Sequence, residues 1–190
     1  RPQWVAGVLG IARELGLAAI EGRFWDAAPI GTEFPEWYRR HTSAELARHF
    51  AYYITNSTAV ADELRLIAAG AGPTVAQEAR LLGYPECCVA AHYRRTQAFH
   101  RATLAVLARA AGGEAAEMAR LLGDSVPLAP GTDQQQAALD AATAVPPCPF
   151  TSLNMCDPCA ASAHGPAAEL ALAYARLARE IDPALAKCLA

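Results

Sequence analysis

The chain has 190 residues, of which 53% are hydrophobic and 18% charged, and its formal net charge is −3. This length is typical of one domain, large enough to fold without a metal or a disulfide. The weak acidic charge gives no electrostatic basis for nucleic-acid binding, and no apolar run is long enough to span a membrane. We therefore expect one globular domain, residues 1–190, with neither nucleic acid nor membrane as a partner.

The composition favours helices, because alanine is abundant and β-branched residues are few. The first residues carry no signal-peptide pattern. Clustered cysteines without a secretory context indicate metal or redox chemistry more often than a disulfide framework. The expected compartment is therefore the cytoplasm.

The first part of the chain predicts helices separated by an irregular segment. Residues 4–15 form the first helix, and residues 17–41, which glycines and prolines interrupt, form an aromatic-rich irregular segment. Thr42-x-x-Glu45 is a capping box that predicts a helix over 43–56. Thr58 caps the next helix, which runs to Ala69. No alternating pattern indicates a strand.

The second part predicts a longer series of helices. A short helix ends at Gly83, a typical C′ glycine, and Pro85 suits the first turn of a helix over 86–111. Further helices are expected over 114–122, 133–143 (with Asp133 as the cap), 167–181 and 183–189. Residues 144–166 form a long loop that carries cysteines. The predicted fold is an all-α, single-domain helical bundle with this loop.

Five of the cysteines are candidates for one metal centre. Cys87 and Cys88 are adjacent, which makes a disulfide between them strained, and they fall at a predicted helix N-terminus that stabilises thiolates. The loop contains Cys156-x-x-Cys159, whose spacer lets both thiolates reach one centre, and Cys148 precedes it between two prolines. We expect Cys148, Cys156, Cys159 and one of the adjacent pair (Cys88, with Cys87 as the alternative) to bind a metal.

Soft thiolate ligands select zinc or an iron–sulfur cluster. Five candidate thiolates are one more than a closed tetrahedral zinc site uses, and the helix N-terminus favours negative charge. Both observations favour an iron–sulfur cluster, of the [4Fe-4S] type, with zinc as the alternative. A thiol–disulfide role for the Cys-x-x-Cys motif is a third interpretation, although the expected βαβ context is missing.

Three residues beside the adjacent pair are candidates for catalysis. Cys87, if it is not a ligand, is a free thiolate available as a nucleophile or sulfur carrier. His92 lies on the same predicted helical face as Cys88, where it is a ligand, a proton donor or a packed side chain. Glu86 either relays protons or only stabilises the helix, because a negative charge near a helix N-terminus interacts favourably with the helix dipole.

Other residues allow two interpretations each. Arg94 and Arg95 either bind an anionic substrate near the cysteines or are surface arginines. His164 is either a zinc ligand or a solvent-facing residue, and Cys188 is most simply a buried apolar residue of the last helix.

The segment Gly83-Tyr84-Pro85-Glu86-Cys87-Cys88 resembles the Gly-Tyr-Pro-x-Cys-Cys signature of a prokaryotic domain family of unknown function. In that family a second motif, Pro-Cys-Ser-x-x-Cys, follows downstream, and Pro147-Cys148 through Cys159 resembles it with a different spacing and an extra cysteine. The resemblance covers these two short segments. It implies that the two cysteine motifs belong together and bind a metal centre, and it implies no reaction.

These observations predict an iron–sulfur protein that acts as an enzyme on a small-molecule substrate, by sulfur transfer or by Lewis-acid chemistry at the cluster. The alternative is a structural zinc-binding helical module for partner interaction, and the third is a thiol–disulfide redox protein. The sequence does not indicate an oligomeric state.

Overall fold

The computed structural model describes residues 3–23, 30–46, 50–70, 73–124, 128–144 and 154–181, together with residues 183, 184 and 187. The described elements are predominantly helical, which confirms the all-α class. Within these residues no helix combines the length and apolarity that crossing a bilayer requires. The contacts divide the chain into two compact units, Arg1–Thr74 and Val75–Ala190. The single-domain interpretation stays a prediction.

The described residues of the first unit form three helices and a small two-stranded sheet. Its elements in chain order are α1 (Gln3–Glu14), β1 (Ala18–Arg23), α2 (Glu36–Leu46), β2 (Phe50–Thr55) and α3 (Thr58–Ala69). The strands pair antiparallel, with Ala18 opposite Thr55 and Arg23 opposite Phe50. Helix α3 packs against the sheet, and the buried residues there are Ile20, Ala61, Leu64 and Ile67.

Two sequence predictions for this unit were wrong. The helix over 43–56 does not form, because α2 begins at Glu36, already contains the supposed capping box, and gives way to β2. The β2 residues Phe-Ala-Tyr-Tyr-Ile-Thr are mostly aromatic or β-branched, which suits a pleated surface even without strict alternation. Likewise, residues 17–41 are not irregular throughout, since they contain β1 and the start of α2.

The second unit is helical in its described residues. Its elements are α4 (Val75–Leu82), α5 (Glu86–Ala110), α6 (Ala115–Gly123), α7 (Asp133–Thr143), α8 (Asp157–Ala160) and α9 (Pro166–Ile181). The long helix α5 packs against α4, α6 and α7. Its C-terminal half carries the apolar core residues Val106 and Leu107, with Met118 and Leu121 of α6 also buried.

The predicted helix ends in this unit are close to those observed, with small corrections. Helix α7 is capped by Thr132 rather than Asp133, with the Thr132 hydroxyl accepting from the Gln135 amide at 3.1 Å. In the first unit, α3 is likewise capped by Ser57 rather than Thr58. The described part of the loop over 144–166 contains one short helix, α8. The helix predicted over 183–189 lies mostly outside the described residues.

Candidate metal centre

The turn between α4 and α5 places the adjacent cysteines at a helix start. Gly83 has φ of +68°, a left-handed conformation that suits glycine, and the amide of Tyr84 donates to the carbonyl of Ala79 at 2.9 Å. This is the hydrogen bond of a Schellman C-cap, which ends α4. Pro85, with φ of −60° and ψ of 130°, is the N-cap of α5 rather than a residue of its first turn, and Cys87 and Cys88 lie in that turn.

A second helix start brings in the other two cysteines. Cys156 is the N-cap of α8, its carbonyl accepts from the amide of Ala160 at 2.9 Å, and Pro158 lies in the first turn. Cys159 belongs to the same turn, so the Asp-Pro spacer curls the chain and turns both sulfurs toward one point. The two cysteine motifs therefore meet as two helix N-termini.

The four sulfur atoms form one compact group. The Sγ atoms of Cys87, Cys88, Cys156 and Cys159 all lie within 4.8 Å of one another. Two of the separations are 3.5 Å, between Cys87 and Cys159, and 3.7 Å, between Cys88 and Cys156. The backbone amide of Cys156 also donates to the sulfur of Cys88 at 3.5 Å. The four cysteines can therefore act as ligands to one centre, and the protein has a possible metal site.

The group is mostly buried and has one exposed member. Cys88 is 0% exposed, and Cys156 and Cys159 are also buried, whereas Cys87 is exposed. The sulfurs share a core with Met155 and with the fully buried Ala167 of α9. The site is thus enclosed by α5, α8 and α9, with access to solvent at Cys87.

The close spacing of the four cysteine sulfurs, three of which are buried, favours a bound cation. Burial raises the pKa of the Cys88 thiol. Burial and the neighbouring sulfurs likewise raise the pKa of Cys159. Burial also opposes ionisation of Cys156, but hydrogen bonds from the Cys159 backbone and from neighbouring thiols lower its pKa overall. Four thiolates this close repel one another, and a bound metal ion removes that cost.

One face of α5 holds the chain segment that carries the second motif. One turn after Cys88 on α5, Nδ1 of His92 lies 2.9 Å from the side-chain amide nitrogen of Asn154. Since an amide nitrogen only donates, Nδ1 accepts this hydrogen bond. One turn further along, Nη2 of Arg95 donates to the carbonyl of Met155 at 2.6 Å. These two hydrogen bonds add to the sulfur contacts that hold the segment carrying Cys156 against α5.

The structure brings together four of the predicted site residues, and both members of the adjacent pair belong to the group. Cys148 and Cys188 lie outside the described residues. Glu86 is exposed in the first turn of α5, where its charge suits the helix dipole. His164 is also exposed, and its backbone amide donates to the hydroxyl of Ser162 at 3.4 Å.

Sequence reasoning missed a cavity beside the sulfur group. A pocket of about 350 Å³ lies between α5, α7 and the start of α8, and its lining includes Cys156, Arg94 and Arg95. The surface interpretation of Arg95 was wrong, because its side chain is only 16% exposed, whereas Arg94 is exposed. The helical spacing of Cys88, Ala91 and Arg95 was the available signal, since it places all three on one face of α5.

No family model, curated protein or solved structure matches this chain. The resemblance to the Gly-Tyr-Pro-x-Cys-Cys family stays a prediction. The chemistry of the site is therefore inferred from its own geometry.

Proposed function

We propose that the protein is a metalloprotein in which Cys87, Cys88, Cys156 and Cys159 bind one metal ion, and that this ion is zinc. The observation that carries the proposal is the compactness of the four sulfurs, all within 4.8 Å of one another. A tetrahedral ion with metal–sulfur bonds of about 2.3 Å holds its sulfurs about 3.8 Å apart. The separations of 3.5 and 3.7 Å agree with such a site.

The role that this geometry supports best is structural. Four protein ligands leave no open position on a tetrahedral zinc ion, which is typical of structural rather than catalytic sites. The ion would join the start of α5 to the start of α8, which are far apart in the chain. The protein would then be a zinc-stabilised helical module. Other molecules would contact its surface and pockets, and the metal itself would bind none of them.

An iron–sulfur enzyme is the second candidate. A cubane cluster places iron and sulfide between the thiolates, so its cysteine sulfurs must stand further apart than those around a single ion. What favours this candidate is the pocket of about 350 Å³ against Cys156, where a small-molecule substrate would lie beside the centre. In that case sulfur transfer or Lewis-acid chemistry would be the reaction class.

The two candidates are separated by purifying the protein without oxygen and measuring zinc, iron and acid-labile sulfide per chain. The proposal predicts a colourless protein with one zinc and no sulfide. A brown protein with iron and sulfide in similar amounts would contradict the zinc centre and support the cluster. A protein with no bound metal would contradict both.

Single serine variants assign the ligands. Cys88→Ser and Cys156→Ser should each lose the metal, whereas Cys148→Ser should retain it, because the four described sulfurs already complete a tetrahedron. Cys188→Ser is the matched control and should also retain the metal. If Cys148→Ser loses the metal, the single-ion site formed by the four described cysteines is wrong.

A further inference from the structure

The pocket beside Cys156 has the size of a small-molecule site and is open to solvent. Its volume is about 350 Å³, and it lies between α5, α7 and the first turn of α8. Ligand pockets in proteins typically measure roughly 300–1,000 Å³ and combine apolar walls with a few placed polar groups. This pocket therefore falls at the small end of the range, suited to a compact ligand.

The charged groups of the pocket are two arginines and one aspartate, Arg94, Arg95 and Asp157. Asp157 lies 3.7 Å from Nη2 of Arg95, but its side chain is 92% exposed, so water screens its charge strongly. The arginines therefore outweigh the aspartate. These three side chains carry one net positive charge, whereas a zinc ion with four thiolates carries two negative charges on the Cys156 side of the pocket. A ligand with one negative charge therefore fits with its charged end at the arginines and only its uncharged part toward Cys156.

Arg95 retains hydrogen-bonding capacity. Its Nη2 donates to the carbonyl of Met155, while its Nη1 is buried and has no hydrogen-bond partner among the described residues. A buried donor without a partner costs free energy, so a small rotation of the guanidinium that brings Nη1 to an anion in the pocket would be favoured by charge-assisted bonds. The planar fork of the guanidinium matches carboxylate and phosphate oxygens alike, so the choice between these two classes of anion depends on the other walls of the pocket.

The remaining walls are small and apolar. They are formed mainly by alanine methyl groups from two helices, Ala91 and Ala98 of α5 and Ala138, Ala141 and Ala142 of α7. Methyl walls offer no hydrogen bonds to a sugar or a polar ring, and they exclude water around a short hydrocarbon chain. The ligand therefore needs a charged end for the arginines and a short apolar body.

We propose that this pocket binds a small organic carboxylate with a short aliphatic chain, which the arginines hold by its carboxylate and which lies against Cys156. The proposal goes beyond the metal centre, since it concerns the cavity next to it. It gives Arg94 and Arg95, which both line the pocket, a common role. It also predicts that ligand binding changes the spectrum of a metal ion in the sulfur group, because Cys156 belongs to both sites.

The experiment is calorimetric titration of the purified, metal-containing protein with butyrate, acetate and inorganic phosphate. Butyrate should bind most tightly, acetate more weakly because it lacks the chain, and phosphate weakly because the alanine walls offer it no donors. Equal binding of n-butanol would contradict the role of the arginines. Tighter binding of phosphate than of butyrate would contradict the carboxylate class.

Two variants test the pocket without removing its buried arginine. Arg94→Gln removes an exposed charge, and Ala138→Leu fills the pocket from an exposed position on α7, so both should fold. Each should weaken butyrate binding at least tenfold. Arg176→Gln, an exposed arginine of α9 outside the pocket, is the matched control and should bind as the wild type does. Unchanged binding in both test variants would overturn the proposal.

Metal content measured on the same samples separates this proposal from the metal centre. If the protein carries its metal and butyrate does not bind, the carboxylate pocket is wrong and the metal centre stands. If butyrate binds in an Arg94-dependent way to protein that never contains metal, the pocket stands and the metal centre is wrong. With cobalt in place of zinc, butyrate should also shift the visible spectrum, and binding without any shift would contradict contact with Cys156.

Discussion

The two halves of α5 are held in place by different means. Its N-terminal half contacts the segment 154–159 through Cys87, Cys88, His92 and Arg95, by sulfur contacts and hydrogen bonds. Its C-terminal half is held by burial of apolar side chains such as Leu107, which is 2% exposed. The proposed metal centre makes the stability of the N-terminal half depend on ligand chemistry, whereas the stability of the C-terminal half depends mainly on apolar burial. Four predictions test this contrast, in order of decreasing effect.

Removal of the metal with a chelator should loosen only the first of these halves. Structural zinc contributes about 10–16 kcal/mol of apparent binding free energy in small zinc domains. We expect hydrogen exchange to accelerate strongly over residues 84–92 and 154–160, while residues 102–110 stay protected. Equal acceleration in both halves, or none in either, would remove the distinction between them.

Leu107→Ala should have the opposite effect, weakening the C-terminal half and leaving the metal in place. Truncation of a buried leucine typically costs about 2–5 kcal/mol, because the cavity that it leaves is only partly refilled. Denaturant unfolding of the zinc-loaded protein measures this cost, and metal analysis checks the centre. Leu177→Ala, at a position that is 50% exposed on α9, is the control and should change stability by about 0.5 kcal/mol or less.

His92→Ala should destabilise the protein moderately. It removes the hydrogen bond between Nδ1 of His92 and the Asn154 side chain, and a typical hydrogen bond is worth about 1 kcal/mol. Because the bond holds the segment before Cys156, the metal should also dissociate faster in competition with a chelator. His164→Ala, at an exposed position, should leave both properties unchanged. A complete loss of metal in His92→Ala would instead make His92 a ligand.

The smallest effect concerns pH and His100. Burial lowers the pKa of His100 below its ordinary value of 6.5, so the folded protein favours the neutral ring. The stabilisation is present in full above about pH 6.5 and is lost as the pH falls toward the folded pKa, because the unfolded chain binds the proton first.

Unfolding by urea at about pH 7.5 and about pH 5.5 should therefore show a steeper loss of stability in the wild type than in His100→Gln, by about 1.4 kcal/mol per unit of pKa depression. Metal loss at the lower pH affects both proteins and cancels in the difference. A steeper loss in the variant would contradict a neutral buried ring.

The helices of the second unit could be predicted well because glycine and proline mark their ends. Gly83 requires a positive φ and Pro85 fixes a helix start, so the bounds of α4 and α5 followed from local chemistry. In the first unit the same local reasoning failed at β2, whose residues tolerate a helix in isolation. Pairing with β1, a contact distant in the chain, decides their conformation.

The site could be predicted in its composition but not in its arrangement. The spacing of Cys156 and Cys159 and the helix start at Cys87 and Cys88 made all four grouped sulfurs candidates, although the expected ligand set took one of the adjacent pair together with Cys148. That both members of the adjacent pair join the group depends on how the start of α8 docks, which no spacing rule contains. Burial of Arg95 follows from the same docking, since its partner is the carbonyl of Met155.

X-ray absorption at the metal edge of the purified protein tests the central claim most directly, because it reports the kind, number and distance of the ligand atoms. We predict a zinc edge with about four sulfur neighbours at about 2.3 Å and no metal neighbour. An iron edge with a short iron–iron distance, or a zinc shell containing nitrogen or oxygen in place of sulfur, would contradict a single ion held by Cys87, Cys88, Cys156 and Cys159.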